Sequence, residues 1–244
     1  MQIDALSLRL RPRTPYEAAD LGTRLCQSAA RDVYSCYLVV AIPVFALCLA
    51  SVEIAYWLPT LAVWWFKPWL DRTILFVLSR AAFGQRTSIG DLWQAQRQVW
   101  WSQLLLTFIW RPLSPWRSFT QPVYQLEGLG LMQLRRRVLQ IRRRNASAAF
   151  FMTAVYKLCE SSLTLAVASL LYWFAPKGQA PDLFEIFMSQ GEWFHALIFA
   201  AATAIVVLFL EPFYVASGFT MYLSRRAELE AWDIEQEFRR AFAQ

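Results

Sequence analysis

Between Asp32 and Glu53 the chain carries no charged residue, and the intervening VYSCYLVVAIPVFALCLASV supplies about the twenty apolar positions that one membrane crossing needs. Pro43 is expected to kink that helix without breaking it, because neighbouring helices can take up the freed carbonyl. Glu53 marks a tight turn, after which Ile54–Phe66 runs for only about 20 Å at 1.5 Å per residue. Lys67 and Trp69 would extend this second crossing by snorkelling to the inner interface. Ala146–Pro176 and Trp193–Leu223 are long enough to be the third and fourth crossings.

Other stretches are amphipathic rather than apolar. Thr14 to Glu17 reads as a capping box with Pro15 at the first helical position. Behind it Ala18, Leu21, Leu25 and Ala29 recur at spacings of three and four, opposite Asp20, Arg24 and Arg31. Such a helix is expected to lie along the membrane surface. Thr73–Phe83 is an apolar segment carrying Arg80. Thr87–Asp91 reads as a turn and helix start leading into Leu92–Trp110. The end of that helix, Val99–Trp110, is too short to cross and is broken by Pro112 and Pro115. Thr73–Phe83 and Val99–Trp110 are therefore expected to be interfacial or re-entrant. Leu131, Leu134, Val138 and Ile141 then form one stripe, with Arg135, Arg136, Arg137, Arg142, Arg143 and Arg144 crowded around it. That pattern suits a membrane surface or an acidic docking partner. After Arg225 a helical tail places Ala227, Ala231, Ile234, Phe238 and Phe242 on one side, with Arg226/Glu230 and Glu235/Arg239 at i,i+4.

The expected fold class is thus an all-α membrane protein of about four transmembrane helices with cytoplasmic interfacial amphipathic helices. One integral domain, 1–244, divides into an interfacial helix (1–32), a helical hairpin (33–69), an Arg-rich cytoplasmic or interfacial segment (70–145), a second hairpin (146–224) and a helical tail (225–244).

Charge sets the orientation. Of 24 Lys and Arg, only Lys177 falls in the loop 177–192 between the last two crossings, and only Lys157 inside an apolar run. All the others lie at the chain ends or in 67–144, so the positive-inside bias puts both termini in the cytoplasm. The loop is otherwise acidic, and its Leu183, Phe184, Ile186 and Phe187 would touch the outer bilayer surface. The stretch 1–14 alternates instead of forming an apolar block, so the first crossing itself would act as the insertion signal.

Composition narrows the function. Charged residues make up 17% against about a quarter in a soluble domain, which fits a membrane protein with sizeable polar parts. A net charge of +6 comes without any nucleic-acid recognition motif, so its expected partner is the anionic lipid headgroup. Four cysteines show no CxxC spacing and His195 stands alone, so no metal or other cofactor is expected. The Asn145–Ser147 sequon falls on the cytoplasmic side. No Ser/His/Asp set, phosphate loop or HExxH is present, and the chain reads as a non-enzyme.

Charged groups at membrane depth are the default functional candidates, and here they are Lys157, Glu160 and Glu211. Lys157 lies 19 positions before Pro176 and Glu211 lies 18 after Trp193, so antiparallel neighbours would hold them at one depth, near the inner interface. Glu160 is one turn away on the same face. A Lys157–Glu211 pair with Glu160 as second acceptor is expected, either as a structural clasp or as a proton or substrate relay. The clasp is preferred because all three groups can reach the interface and no acidic chain leads outward.

LRLRPRTPYEAADLG at 8–22 and EPFYVASGFTMYLSRRAELEAWDIE at 211–235, with SPWRSF at 114–119 and PVYQLEG at 122–128, resemble an uncharacterised family of bacterial inner-membrane proteins. Some longer members of that family carry an additional C-terminal domain of unknown function. The tail is also similar to the membrane domain attached to some glycerophosphodiester phosphodiesterases, without their catalytic domain. The resemblance implies a Gram-negative inner membrane and a locus shared with a MoxR-type AAA+ ATPase and von Willebrand A-type proteins. The function expected from all this is a non-enzymatic multi-pass component of a protein complex in envelope assembly or maintenance. The alternative is a small transporter or lipid-handling protein using Lys157, Glu160 and Glu211.

Overall fold

The computed structural model describes residues 13–102, 104–173 and 193–230, and among these it is helical with no strand. In chain order the elements are α1 (Pro15–Ser28), α2 (Ala30–Ala50), a 3-10 turn (Ser51–Glu53), α3 (Leu58–Ala81), α4 (Ile89–Gln94), a π-helical turn (Arg97–Trp101), α5 (Leu104–Ile109), α6 (Arg117–Leu126), α7 (Leu131–Trp173) and α8 (Trp193–Glu230). The expected loop residues Leu183, Phe184, Ile186 and Phe187, and the tail residues Ala231, Ile234, Phe238 and Phe242, lie outside the described residues, as does 1–12.

Among the described residues three helices are long and apolar enough to cross a membrane: Ala30–Glu53, Met132–Leu170 and Phe194–Glu230. α3 is of crossing length, about 36 Å at 1.5 Å per residue. It lacks the composition of a span, because Lys67, Asp71 and Arg72 stand in its middle.

The molecule has two unlike halves. In one, α2, α7 and α8 turn apolar side chains outward, among them Leu47, Phe151, Leu158 and Phe209. In the other, the second parts of α3 and α8 are sheathed on every side: 70–75 and 214–224 are buried without a break. α1, α6 and the first part of α7 provide that sheath.

Local chemistry starts the helices where the spacing predicts. Thr14 accepts from the Glu17 N–H while Glu17 reaches back to the Thr14 N–H, with Pro15 in the first turn. Ser88 and Asp91 repeat this box at α4. Two glycines then allow close crossings. A Cβ on Gly22 would stand 2.6 Å from Ser217 Cα, and one on Gly218 would stand 2.5 Å from Ser118 Cβ. α1 and α6 therefore touch the backbone of α8, which no larger residue at those two positions permits.

Several expectations are corrected. Thr73–Phe83 is no separate interfacial segment: as far as Ala81 it continues α3 through Pro68 into the buried core. The helix expected over Leu92–Trp110 is broken into α4, the π turn and α5. Buried Arg72 takes the carbonyls of Gln98 and Val99 for its own hydrogen bonds, and a regular helix would have used them. The basic stretch 131–144 and the third crossing form one continuous helix, α7. Its stripe of Leu134, Val138 and Ile141 packs into the protein core and not onto a bilayer surface. The apolar face of α1, with Ala18, Leu25 and Cys26 buried, is likewise covered by protein.

Candidate functional site

α3, α6, α7 and α8 meet at a group of charged side chains. Lys67 and Asp71 stand four residues apart on α3 and so share one face. Arg117 opens α6, Lys157 and Glu160 lie on α7, and Glu211 precedes Pro212 in α8.

These six side chains form a single file of alternating sign. Lys157 Nζ lies 3.0 Å from Glu160 Oε1, and the other oxygen of Glu160 is 2.7 Å from Lys67 Nζ. Lys67 is also 2.7 Å from Glu211 Oε2. The remaining oxygen of Glu211 accepts from Arg117, whose Nε is 2.9 Å from Asp71 Oδ2. Every interior member therefore has an opposite charge on both sides. At one end the Lys157 side chain is 56% exposed; at the other, that of Asp71 is fully buried. Isolated charges could not be held at such burial, whereas an alternating file satisfies each ion locally.

Neutral groups brace the file. The Arg117 guanidinium lies over the Tyr214 ring, 5.2 Å from its centre. The Tyr214 hydroxyl is 3.1 Å from Thr153 Oγ1 on α7, and Tyr156 bonds Ser217 at 3.0 Å one turn along. One turn before Pro212, the Tyr34 hydroxyl donates to the Phe209 carbonyl at 2.8 Å, tying α2 to α8.

A pocket of about 180 Å³ opens against the exposed end of the file. Lys157, Glu160, Lys67, Glu211 and Arg117 reach it, while Trp64, Leu210 and the loop Pro112–Pro115 supply apolar walls. Lys157 and Leu113 at its rim are exposed.

Two further clusters flank this centre. Buried Arg72 donates to Thr107 Oγ1 at 3.0 Å as well as to the π-turn carbonyls. Arg111, also buried, lies 4.5 Å from the centre of the Tyr124 ring, and its guanidinium nitrogens have no hydrogen-bond partner among the described residues. Farther along, Glu127 is held by Arg137 at 3.0 Å and by the Tyr222 hydroxyl at 2.7 Å, which ties the end of α6 to α7 and α8.

The sequence candidates are thus placed as follows. Lys157, Glu160 and Glu211 do share one pocket, as the depth count requires. The expected Lys157–Glu211 pair is not formed: Glu211 is taken by Lys67 and Arg117, and Lys157 turns to Glu160. Lys67, expected to snorkel to the interface, is buried between two carboxylates. Asp71 and Arg117 are members that sequence reasoning missed; the i,i+4 spacing of Lys67 and Asp71 was the available signal. Of the six arginines on α7, Arg137 pairs with Glu127 and Glu230, and Arg142 lies over Trp116 at 4.2 Å. Arg135, Arg136, Arg143 and Arg144 are exposed.

Comparison with protein-family models, with curated proteins and with solved structures gives no match. No family is assigned to the chain.

Proposed function

We propose that this chain is a lipid-handling integral membrane protein that admits an amphiphile from the bilayer into the pocket beside Lys157. The observation that carries the reading is the joining of an apolar-walled pocket to the exposed end of a buried ion file. A file whose only task was to clasp helices would gain nothing from an opening at its end. Membrane-depth charges facing a cavity are the common mark of a substrate path.

The proposed setting is a bacterial inner membrane with four crossings and both termini cytoplasmic. α3 serves as the fourth crossing in this reading, since α6, α7 and α8 cover its charged half and spare it from lipid. The proposal includes no enzymatic step and no cofactor.

Photo-crosslinking tests it. A diazirine-bearing fatty acyl probe in proteoliposomes should label peptides containing Trp64 and Leu113 above the remaining outward-facing surface. Equal labelling of Trp64, Leu47 and Phe209 would mean that the pocket takes no amphiphile.

A second reading is favoured by a specific observation. Arg135, Arg136, Arg143 and Arg144 form an exposed basic patch on α7, of which Arg144 also reaches Glu228 at 3.8 Å. In that reading the chain is a non-enzymatic component of a complex for envelope assembly, docking an acidic partner, with a MoxR-type AAA+ ATPase suggested by resemblance alone. Replacing those four arginines by Gln should then abolish co-purification of the partner while insertion is kept.

A further inference from the structure

Lys67, Arg117 and Lys157 bring three cations to the pocket and Glu160 and Glu211 two carboxylates, with Asp71 behind Arg117 completing a balanced file. The deeper cations are each already engaged on two carboxylates and buried. Lys67 is locked between both glutamates, and Arg117 spans Glu211 and Asp71. Lys157 differs from them. Its ammonium has three N–H donors, one of which goes to Glu160, and its side chain is more than half exposed. Two donors are therefore left for a ligand at the mouth. Ser114, flanked by Leu113 and Pro115, lines the same pocket and adds a hydroxyl to it.

We infer that the amphiphile is a glycerophospholipid, and that Lys157 holds its phosphate at the pocket mouth. This rests on the pocket reading above and names its ligand class. A lysine ammonium binds phosphate as a point charge, and Lys157, which shares its one carboxylate with Lys67, is the least neutralised cation of the file. A volume of about 180 Å³ equals roughly six water volumes at ~30 Å³ each, enough for a phosphate with part of its glycerol. Trp64, Leu113 and Leu210 line the same pocket, Leu113 being exposed, and give the acyl chains an apolar surface to follow. The depth also agrees, since the count along α7 sets Lys157 near the inner interface, where a bilayer carries its phosphates.

The test is native mass spectrometry of the detergent-solubilised full chain, titrated separately with phosphatidylglycerol, with dioleoylglycerol and with glycerol 3-phosphate. Phosphatidylglycerol should bind at least about tenfold more tightly than dioleoylglycerol, the scale of a hydrogen bond to a charged group. Lys157→Gln should remove that preference and Lys157→Arg should keep it. Neither change touches the Lys67–Glu160 or Lys67–Glu211 contacts, and an unchanged thermal midpoint checks that the variants fold. Dioleoylglycerol bound as tightly as phosphatidylglycerol would overturn the phosphate inference and leave the amphiphile reading standing. Displacement of phosphatidylglycerol by equimolar glycerol 3-phosphate would overturn it in favour of a free phosphate ester. Binding of neither lipid would remove both the inference and the reading beneath it.

Discussion

Lys67 and Glu211 lie 2.7 Å apart with both side chains at least nine-tenths buried, and they form the middle link of the ion file. Removing Lys67 alone leaves Glu211 and Glu160 facing a lost cation. Lys67→Met is expected to cost about 3–5 kcal/mol, as for other broken buried pairs. The double change Lys67→Met/Glu211→Met leaves two neutral pairs, Lys157–Glu160 and Arg117–Asp71, and should recover most of that loss. Denaturant unfolding in detergent measures both. A double variant as unstable as the sum of the single changes would show that the two side chains are not coupled.

The close crossings of α8 make an independent prediction. Gly22→Ala and Gly218→Ala each push a methyl into a neighbouring segment and should destabilise by about 1–3 kcal/mol. Gly90→Ala is the control of opposite sign. Gly90 sits in the first turn of α4, where the nearest atom to an added Cβ is Ser88 Oγ at 3.6 Å, and alanine there should stabilise by about 0.4–1 kcal/mol. The same unfolding assay ranks all three.

The cap of α4 should titrate. Hydrogen bonds from the backbone and hydroxyl of Ser88 hold the Asp91 carboxyl below its ordinary value. A depressed carboxylate contributes stability that is complete above its unfolded value and is lost as pH falls through its folded value. The difference in thermal midpoint between the natural chain and Asp91→Asn should therefore shrink on acidification below the ordinary carboxylate range. A difference that stays constant into that range would show that the charge of Asp91 contributes nothing to the cap.

Topology gives a further expected outcome. With four crossings, a cysteine placed at Glu53 should react with a membrane-impermeant maleimide in intact spheroplasts, and one placed at Gly128 should react only after lysis. Background thiols are removed beforehand by replacing the four natural cysteines with serine or alanine. Labelling of both positions in intact spheroplasts would exclude the proposed arrangement.

Much of the fold was legible in the sequence because apolar run length and capping chemistry are local properties. Ser88 with Asp91 and Thr14 with Glu17 announce helix starts, and the uncharged stretch after Asp32 announces a span. What the sequence concealed was tertiary. Lys67, Asp71 and Arg72 disqualify α3 as a lipid-facing span, and only the neighbours that surround them show how a charged helix is buried. The depth count brought Lys157, Glu160 and Glu211 to one pocket, but it could not choose among cations. Lys67 reaches Glu211 from a third helix, which a comparison of α7 with α8 leaves out. The stripe on α7 was visible as a stripe; whether lipid or protein would cover it depended on partners far away in the chain.

The seating of Gly22 on Ser217 bears on how this protein is made. Ribosomes add roughly 5–20 residues per second, so α1 emerges on the order of 10–40 s before its binding surface exists. During that interval α1, with its apolar Ala18, Leu25 and Cys26, lacks α8, its main packing partner. The nascent protein must shelter α1, on the membrane or on a chaperone, until α8 has been made.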